Sequence, residues 1–318
     1  MRSASFLALS FASSALGATY QMSENIVGAG FYNSFNFETA PDPTHGRVNY
    51  VDQATATNTN LTFAAGNTFV LRADHKTVLD PNGAGRNSVR ISSKNTYTTH
   101  VAVFDMAHIP VGCGTWPAVW ETGGSWPYGG ETDIFEAVNG QGTNQATLHT
   151  SPGCTMPASR SETGSAPTTP AQLDCDTSVN GNAGCGVTFA QGTSNGPAFN
   201  DNGGGWYAME RTNAAISVWF WSHSDPSVPA DVRAGGSTVS TDAWGVPSAT
   251  FPNTSCDIAS HFVPHNIIIN LTICGDWAGD ASVYASSGCP STCNDFVNNN
   301  PGAFTDAFFE FNSINVYT

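Results

Sequence analysis

Residues 130–136 read Gly130-Glu131-Thr132-Asp133-Ile134-Phe135-Glu136, in a chain where only 11% of residues are charged. Three carboxyls set among apolar residues in a strand-like run need a reason to be there. The chemistry such groups could do is displacement at a polar bond. One ionised carboxylate attacks carbon, and one protonated carboxyl gives its proton to the leaving oxygen. Cleaving a glycosidic bond with retention needs that pair about 5–5.5 Å apart, in environments that keep one charged and the other protonated. In a regular strand Glu131 and Asp133 share a face, about 6–7 Å apart along the chain. Glu136 has odd spacing from both and would point the other way. A β-bulge at Ile134-Phe135 would bring it back, so the sequence predicts a bulge and three acids on one face. Thr132, Ala137 and one of Ile134 and Phe135 would then face the core. Asp133, between the glutamates, could share a proton with the nucleophile. Spacing alone leaves open which glutamate attacks. A solvated acidic edge strand is the plain alternative, and the apolar residues between the acids argue against it.

Trp116, Trp120 and Trp126 all fall within fifteen residues ahead of Glu131. Flat aromatic rings suit the C–H faces of sugar rings and add contact area with little entropy loss. One of the three is expected to be mostly core, with Trp116 the first choice. His149 follows in Thr147-Leu148-His149-Thr150. A histidine met alone is more often structural than catalytic.

Positioning these groups falls to strands. Runs at 67–72, 88–92, 98–104, 214–221 and 266–273 are rich in β-branched and aromatic residues and bounded by turn formers. No window of helical length has a 3.6-residue apolar period, though short helical turns fit 225–232 and 293–299. The class is all-β, with two stacked antiparallel sheets. Residues 150–205 are poor in apolar side chains and hold Cys154, Cys175 and Cys185. A linker is one reading. A surface excursion pinned by disulfides is preferred, because cysteines would be pointless in a tether. In the 266–273 run, Ile267, Ile269, Leu271 and Ile273 form a core face, leaving Asn270 to face a cleft or a partner sheet.

Composition bounds the partners. The net charge is −15 and the chain has only Lys76 and Lys94 as lysines, so no basic stripe exists to neutralise phosphates and nucleic acid is a poor partner. Arg2, the apolar run from Phe6 to Leu16 and the small residues that follow read as a secretory signal over residues 1–17. No later run approaches the ~20 apolar residues of a membrane span. The mature chain, residues 18–318, is therefore expected to be soluble and extracellular. Its eight cysteines imply disulfides. Eight allow 105 pairings, and none is assigned. A metal reading of Cys289 and Cys293 is weak, because no further Cys/His spacing completes a site. Of the sequons at Asn60, Asn253 and Asn270, Asn60 in its polar stretch is the glycan candidate.

The acid motif, preceded by Gly114-Thr115-Trp116-Pro117-Ala118-Val119-Trp120, resembles the signature of glycoside hydrolase family 16 in its laminarinase-type branch. The resemblance runs along residues 18–318, through 42–50, 85–90, 203–211, 274–279 and 298–301, and is similar to secreted basidiomycete endo-β-1,3(4)-glucanases. It implies a concanavalin-like β-jelly roll with an open concave cleft, acting as a monomer without cofactor or metal on β-1,3-glucan, with tolerance of mixed linkage. By motif position Glu131 would be the nucleophile, Glu136 the acid/base and Asp133 the assisting carboxylate. Arg90, Trp120, Trp126, His149 and Trp277 match positions that bind glucosyl units. Thr132 departs from the usual aliphatic residue, which implies a packing difference. A calcium site on the convex face occurs in such proteins, and no oxygen-ligand pattern marks one here. Two other functions remain: a catalytically silent glucan-binding module, which would lack the paired glutamates, and a transglycosylase using the same intermediate.

Overall fold

The computed structural model describes residues 18–318, so the export signal read at 1–17 lies outside the described residues. Two antiparallel sheets dominate. The sheet with the acids has seven strands in the order Val187–Thr188, Gln145–His149, Glu131–Glu136, Thr115–Thr122, Asn266–Ile273, Arg90–Ser93 and Phe35–Phe37. The facing sheet runs Thr238–Ser240, Thr19–Ile26, Phe308–Tyr317, His100–His108, Gly205–Arg211, Ala215–Ser222 and Ala249–Pro252. Some neighbours in space are distant in sequence, such as Thr115–Thr122 beside Asn266–Ile273 and His100–His108 beside Phe308–Tyr317, as jelly-roll winding requires.

Alternation fills the space between the sheets. Ile267, Ile269, Leu271 and Ile273 are fully buried there. Phe135 meets Tyr207 and Phe309 of the facing sheet edge-on, at centroid distances of 5.5 and 6.0 Å. A second apolar layer covers the outer face of the facing sheet, where Trp206, Trp219 and Trp221 lie under Val232, Val239 and Trp244. The interior also holds charge. His100 Nε2 lies 2.9 Å from Glu121 Oε1, both side chains fully buried. Buried His265 uses Nε2 to bond the Gly129 carbonyl at 2.8 Å, and Arg211 donates to the carbonyls of Phe262 and Val263.

The Asn266–Ile273 strand matches the sequence reading residue for residue. The run read at 88–92 is instead two strands, Arg86–Ser88 and Arg90–Ser93. The first pairs in parallel with Val48–Tyr50 and the second joins the acid sheet, so one stretch serves two sheets. Helices occur at Ala230–Ala234 and Cys293–Asn299, at or beside the expected turns. Others, such as Gln53–Asn58 and Ala281–Ser286, are too short to show a period and are set by the capping side chains of Asp52 and Asp280. Among the described residues no helix is long and apolar enough to cross a membrane.

The cysteines pair as Cys113–Cys289, Cys154–Cys256, Cys175–Cys185 and Cys274–Cys293. Cys289 and Cys293 thus bond different partners. The 150–205 excursion is tied to the rest by Cys154–Cys256 and adds Val187–Thr188 to the edge of the acid sheet. In a chain-entropy account, the bridge closing 10 residues contributes about 3 kcal/mol and the one closing 176 about 5 kcal/mol. The Cys175→Ser/Cys185→Ser variant should therefore lose less Tm than Cys113→Ser/Cys289→Ser. Equal shifts by calorimetry would contradict that account.

Candidate active site

The predicted bulge is present. Asp133 pairs with Trp120 and Phe135 pairs with Val119, so Ile134 is the extra residue. Register then places the acids in three rows across the sheet. Glu131 lies between Thr122 and His149, Asp133 between Trp120 and Thr147, and Glu136 beside Ala118. Thr122, Trp120 and Ala118 alternate along one strand, so the three acids share one face. Beyond them, Trp120 is followed by Ile268 and Ser92, and Ala118 by Asn270 and Arg90. Thr132 is fully buried on the core side, as expected. Ile134 and Phe135 are both fully buried, where only one was expected to face the core. The bulge swings the strand enough for both to reach the interior.

Each glutamate has an indole partner. Trp126 Nε1 donates to Glu131 Oε2 at 2.8 Å, and Trp116 Nε1 donates to Glu136 Oε1 at 2.8 Å. Trp116 was expected in the core and is instead a half-buried site residue. Its even spacing from Trp120 puts it on the acid face. Asp133 Oδ2 has no hydrogen-bond partner and lies 3.4 Å from His149 Nε2. His149 Nδ1 faces Asn182 Oδ1 at 3.1 Å, and with that nitrogen donating, Nε2 is an acceptor toward Asp133. Glu131, Asp133 and His149 each bring one atom within 4.8 Å of the others, a spacing that could hold a cation.

Burial raises all three carboxyls. Glu131 is pushed up to about 7, against the opposing pull of the Trp126 hydrogen bond and the Arg90 charge. Glu136 is pushed up to about 7, with Trp116 and His149 pulling it down and Glu131 adding to the rise. Asp133 is held well above the usual carboxylate range by burial and by both glutamates. The cluster therefore titrates as a unit that carries fewer than three charges. Burial holds His149 below its ordinary value.

The remaining predicted positions surround the acids. The Arg90 guanidinium lies 5.0 Å from the Trp120 ring centroid and bonds Glu38 Oε2 at 2.6 Å. Trp120 Nε1 donates to Asn270 Oδ1 at 2.7 Å, and Asn270 Nδ2 lies 3.3 Å from the Tyr50 hydroxyl. Asn270 thus faces the site and is 7% exposed, while the sequon residue Asn60 is exposed. Trp126 stands on the 123–130 loop and is 48% exposed. The neck of that loop is too narrow for side chains, since a Cβ on Gly129 would sit 1.7 Å from the Gly123 carbonyl oxygen. Trp277 follows a sharp turn at Gly275 (φ 72°) and packs edge-on against Trp116 at 5.7 Å. Sequence reasoning missed Glu38, Tyr50, Asn144 and Asn182. All four act through partners that only the fold brings near.

A jelly roll of two antiparallel sheets with a bulged three-acid strand and an aromatic-lined face defines a class of carbohydrate-active enzyme. The chain belongs to glycoside hydrolase family 16, and the family model described as XgeA-like, catalytic GH16 domain matches residues 35–317. It is similar to laminarinase 16A from Phanerochaete chrysosporium, solved with 6-O-glucosyl-laminaritriose in donor and acceptor sites: 58% identity, 95% of this chain and 100% of that one, TM-score 0.93. It is also similar to an elongating family 16 β-1,3-glucosyltransferase, at 35% identity over 94% of this chain and 100% of that one, TM-score 0.86. A protein of Aspergillus fumigatus named probable endo-1,3(4)-β-glucanase is 42% identical over 94% of this chain. The chain spans 45% of that protein's length.

Proposed function

We propose that the chain cleaves β-1,3-glucan internally with retention of configuration, and that Glu131, Glu136 and Asp133 divide the work. The observation that carries this reading is the bulge at Ile134, which sets all three acids on one face with an indole on each glutamate. The ionised Glu131 attacks the anomeric carbon as the bond to the leaving oxygen breaks. Glu136 gives that oxygen its proton. Water then attacks the same carbon, Glu136 takes a proton from it, and Glu131 leaves as carboxylate. The electrostatics support the order of roles. The Arg90 charge favours ionised Glu131, and that negative charge helps Glu136 keep its proton. Burial and the charges of both glutamates hold Asp133 well above the usual carboxylate range, which disfavours a third charge in the cluster.

Arg90, Trp120, Trp126, His149 and Trp277 form the binding surface for glucosyl units. Trp277→Ala should raise KM about 10-fold with a smaller change in kcat, through loss of a stacking face. An unchanged KM would make Trp277 a packing residue. The working protein is a secreted monomer cut after residue 17 and glycosylated at Asn60. Its four disulfides suit an oxidising compartment.

The decisive experiment is hydrolysis of laminarin, lichenan and a branched β-glucan side by side, with the first product anomer followed by NMR. Initial β-anomer is expected. Initial α-anomer, or no cleavage of any β-1,3-containing glucan, would overturn the reading. The likeness to an elongating glucosyltransferase favours a second outcome at the same site, in which a sugar hydroxyl replaces water. Longer products on adding laminari-oligosaccharide acceptors would reveal it by mass spectrometry.

A further inference from the structure

We propose that Asn144 is a positioning residue for the reaction, whose side chain holds the bulge in shape and so fixes the backbone that presents Glu136. The inference rests on the reading of Glu136 as acid/base. Pairing of the acid strand with Gln145–His149 covers only Glu131, Thr132 and Asp133. Beyond that point the bulge leaves backbone groups without a ladder partner on that side. Asn144, directly before the neighbouring strand, supplies one. Its Nδ2 donates to the Ile134 carbonyl at 2.9 Å, and its Oδ1 accepts from the Glu136 N–H at 2.9 Å. A carboxamide carries the donor and acceptor of a peptide, so this side chain stands in for a residue of the missing strand.

Asn144 is itself fixed. It is fully buried, its N–H donates to Ser194 Oγ at 3.0 Å, and its carbonyl accepts from the Phe189 N–H at 2.9 Å. The anchor therefore reaches from the core to the two peptide groups that flank Phe135. Proton delivery depends on placing a carboxyl within a fraction of an ångström of the leaving oxygen.

The test compares laminarin with 2,4-dinitrophenyl β-laminaribioside, whose leaving group needs no proton. Asn144→Ala should lower kcat/KM on laminarin ~100-fold and on the aryl glycoside less than ~3-fold, the pattern of impaired general acid catalysis. Asn144→Asp separates positioning from simple packing. Its protonated carboxyl can donate to Ile134 and accept from Glu136, and its carboxylate cannot donate. Activity of this variant relative to the unchanged enzyme should climb as pH falls, while the Ala ratio stays flat. Equal losses on both substrates, or an Asp variant with no recovery at low pH, would overturn the proposal. Should Asn144→Ala not fold, the Asp variant's pH dependence decides alone. Azide rescue of Glu136→Ala separates the two levels. No rescue defeats the acid/base reading, whereas rescue there with equal losses in the Asn144 variants defeats this inference only.

Discussion

Glu131→Gln should leave a folded protein with turnover reduced by at least ~10⁴-fold, the scale of loss when a covalent nucleophile is removed. Glutamine keeps the side chain's length and can still accept from the Trp126 indole, so binding should persist. The variant should also melt higher than the unchanged enzyme above neutral pH. The sign follows from the raised carboxyl. A glutamate moved from about 4.5 to about 7 binds its proton more tightly in the folded state, so the site favours folding below the ordinary value. That contribution is lost as pH rises from about 4.5 to about 7. Replacing Glu131 removes one of the charges crowded at the site, so the Tm gain should be larger at pH 8 than at pH 4.5. Near-normal turnover in this variant, measured on laminarin with circular dichroism as the folding control, would end the assignment of Glu131 as nucleophile.

Glu136→Ala should slow both chemical steps, and unequally according to the substrate. On laminarin, where the leaving sugar needs a proton, the loss should be ~10³-fold or more, within the range attributed to general acid–base groups. An aryl glycoside with a good leaving group should form its glycosyl-enzyme at nearly the usual rate and then stall. Azide, which needs no base, should release it as the β-glycosyl azide. Trp116→Phe removes the indole donor to Glu136 Oε1 together with part of the ring that packs on Trp277, and loss of that donor should shift the basic limb of the pH profile upward with a far smaller loss of rate. Lack of azide rescue would assign the proton transfer to another group. A glycosyl azide of α configuration would contradict the retaining path.

The sequence and the structure agree where period-two reasoning applies. The acid strand, the Asn266–Ile273 core face and the site-facing Asn270 all follow from counting alternate residues. The bulge was legible because Glu136 had the wrong parity for any useful role without it. The same parity was available for Trp116, two alternations from Trp120, and the expectation of a core tryptophan overrode it. Asn144 carried no such signal. Its partners are backbone atoms that become free only once the strand has bulged. Cysteine pairing was out of reach for a related reason, since Cys113 and Cys289 meet only after the winding of both sheets is complete. Splitting of the 88–92 run depended on Val48–Tyr50 arriving as a parallel neighbour, which no local pattern announces.

The buried polar side chains behind the acid sheet bear on how the Trp126 end receives its ligand. His265 ties down Gly129, Arg211 ties down Phe262 and Val263, and the Val263 N–H bonds the Gly129 carbonyl. A stalk gripped from the interior moves with the sandwich and does not fold over an incoming polymer. Glucan therefore meets a stiff, ready-shaped wall there. Discrimination among chains with different branches then comes from collision or fit at first encounter, and little ordering entropy is lost when a fitting chain settles.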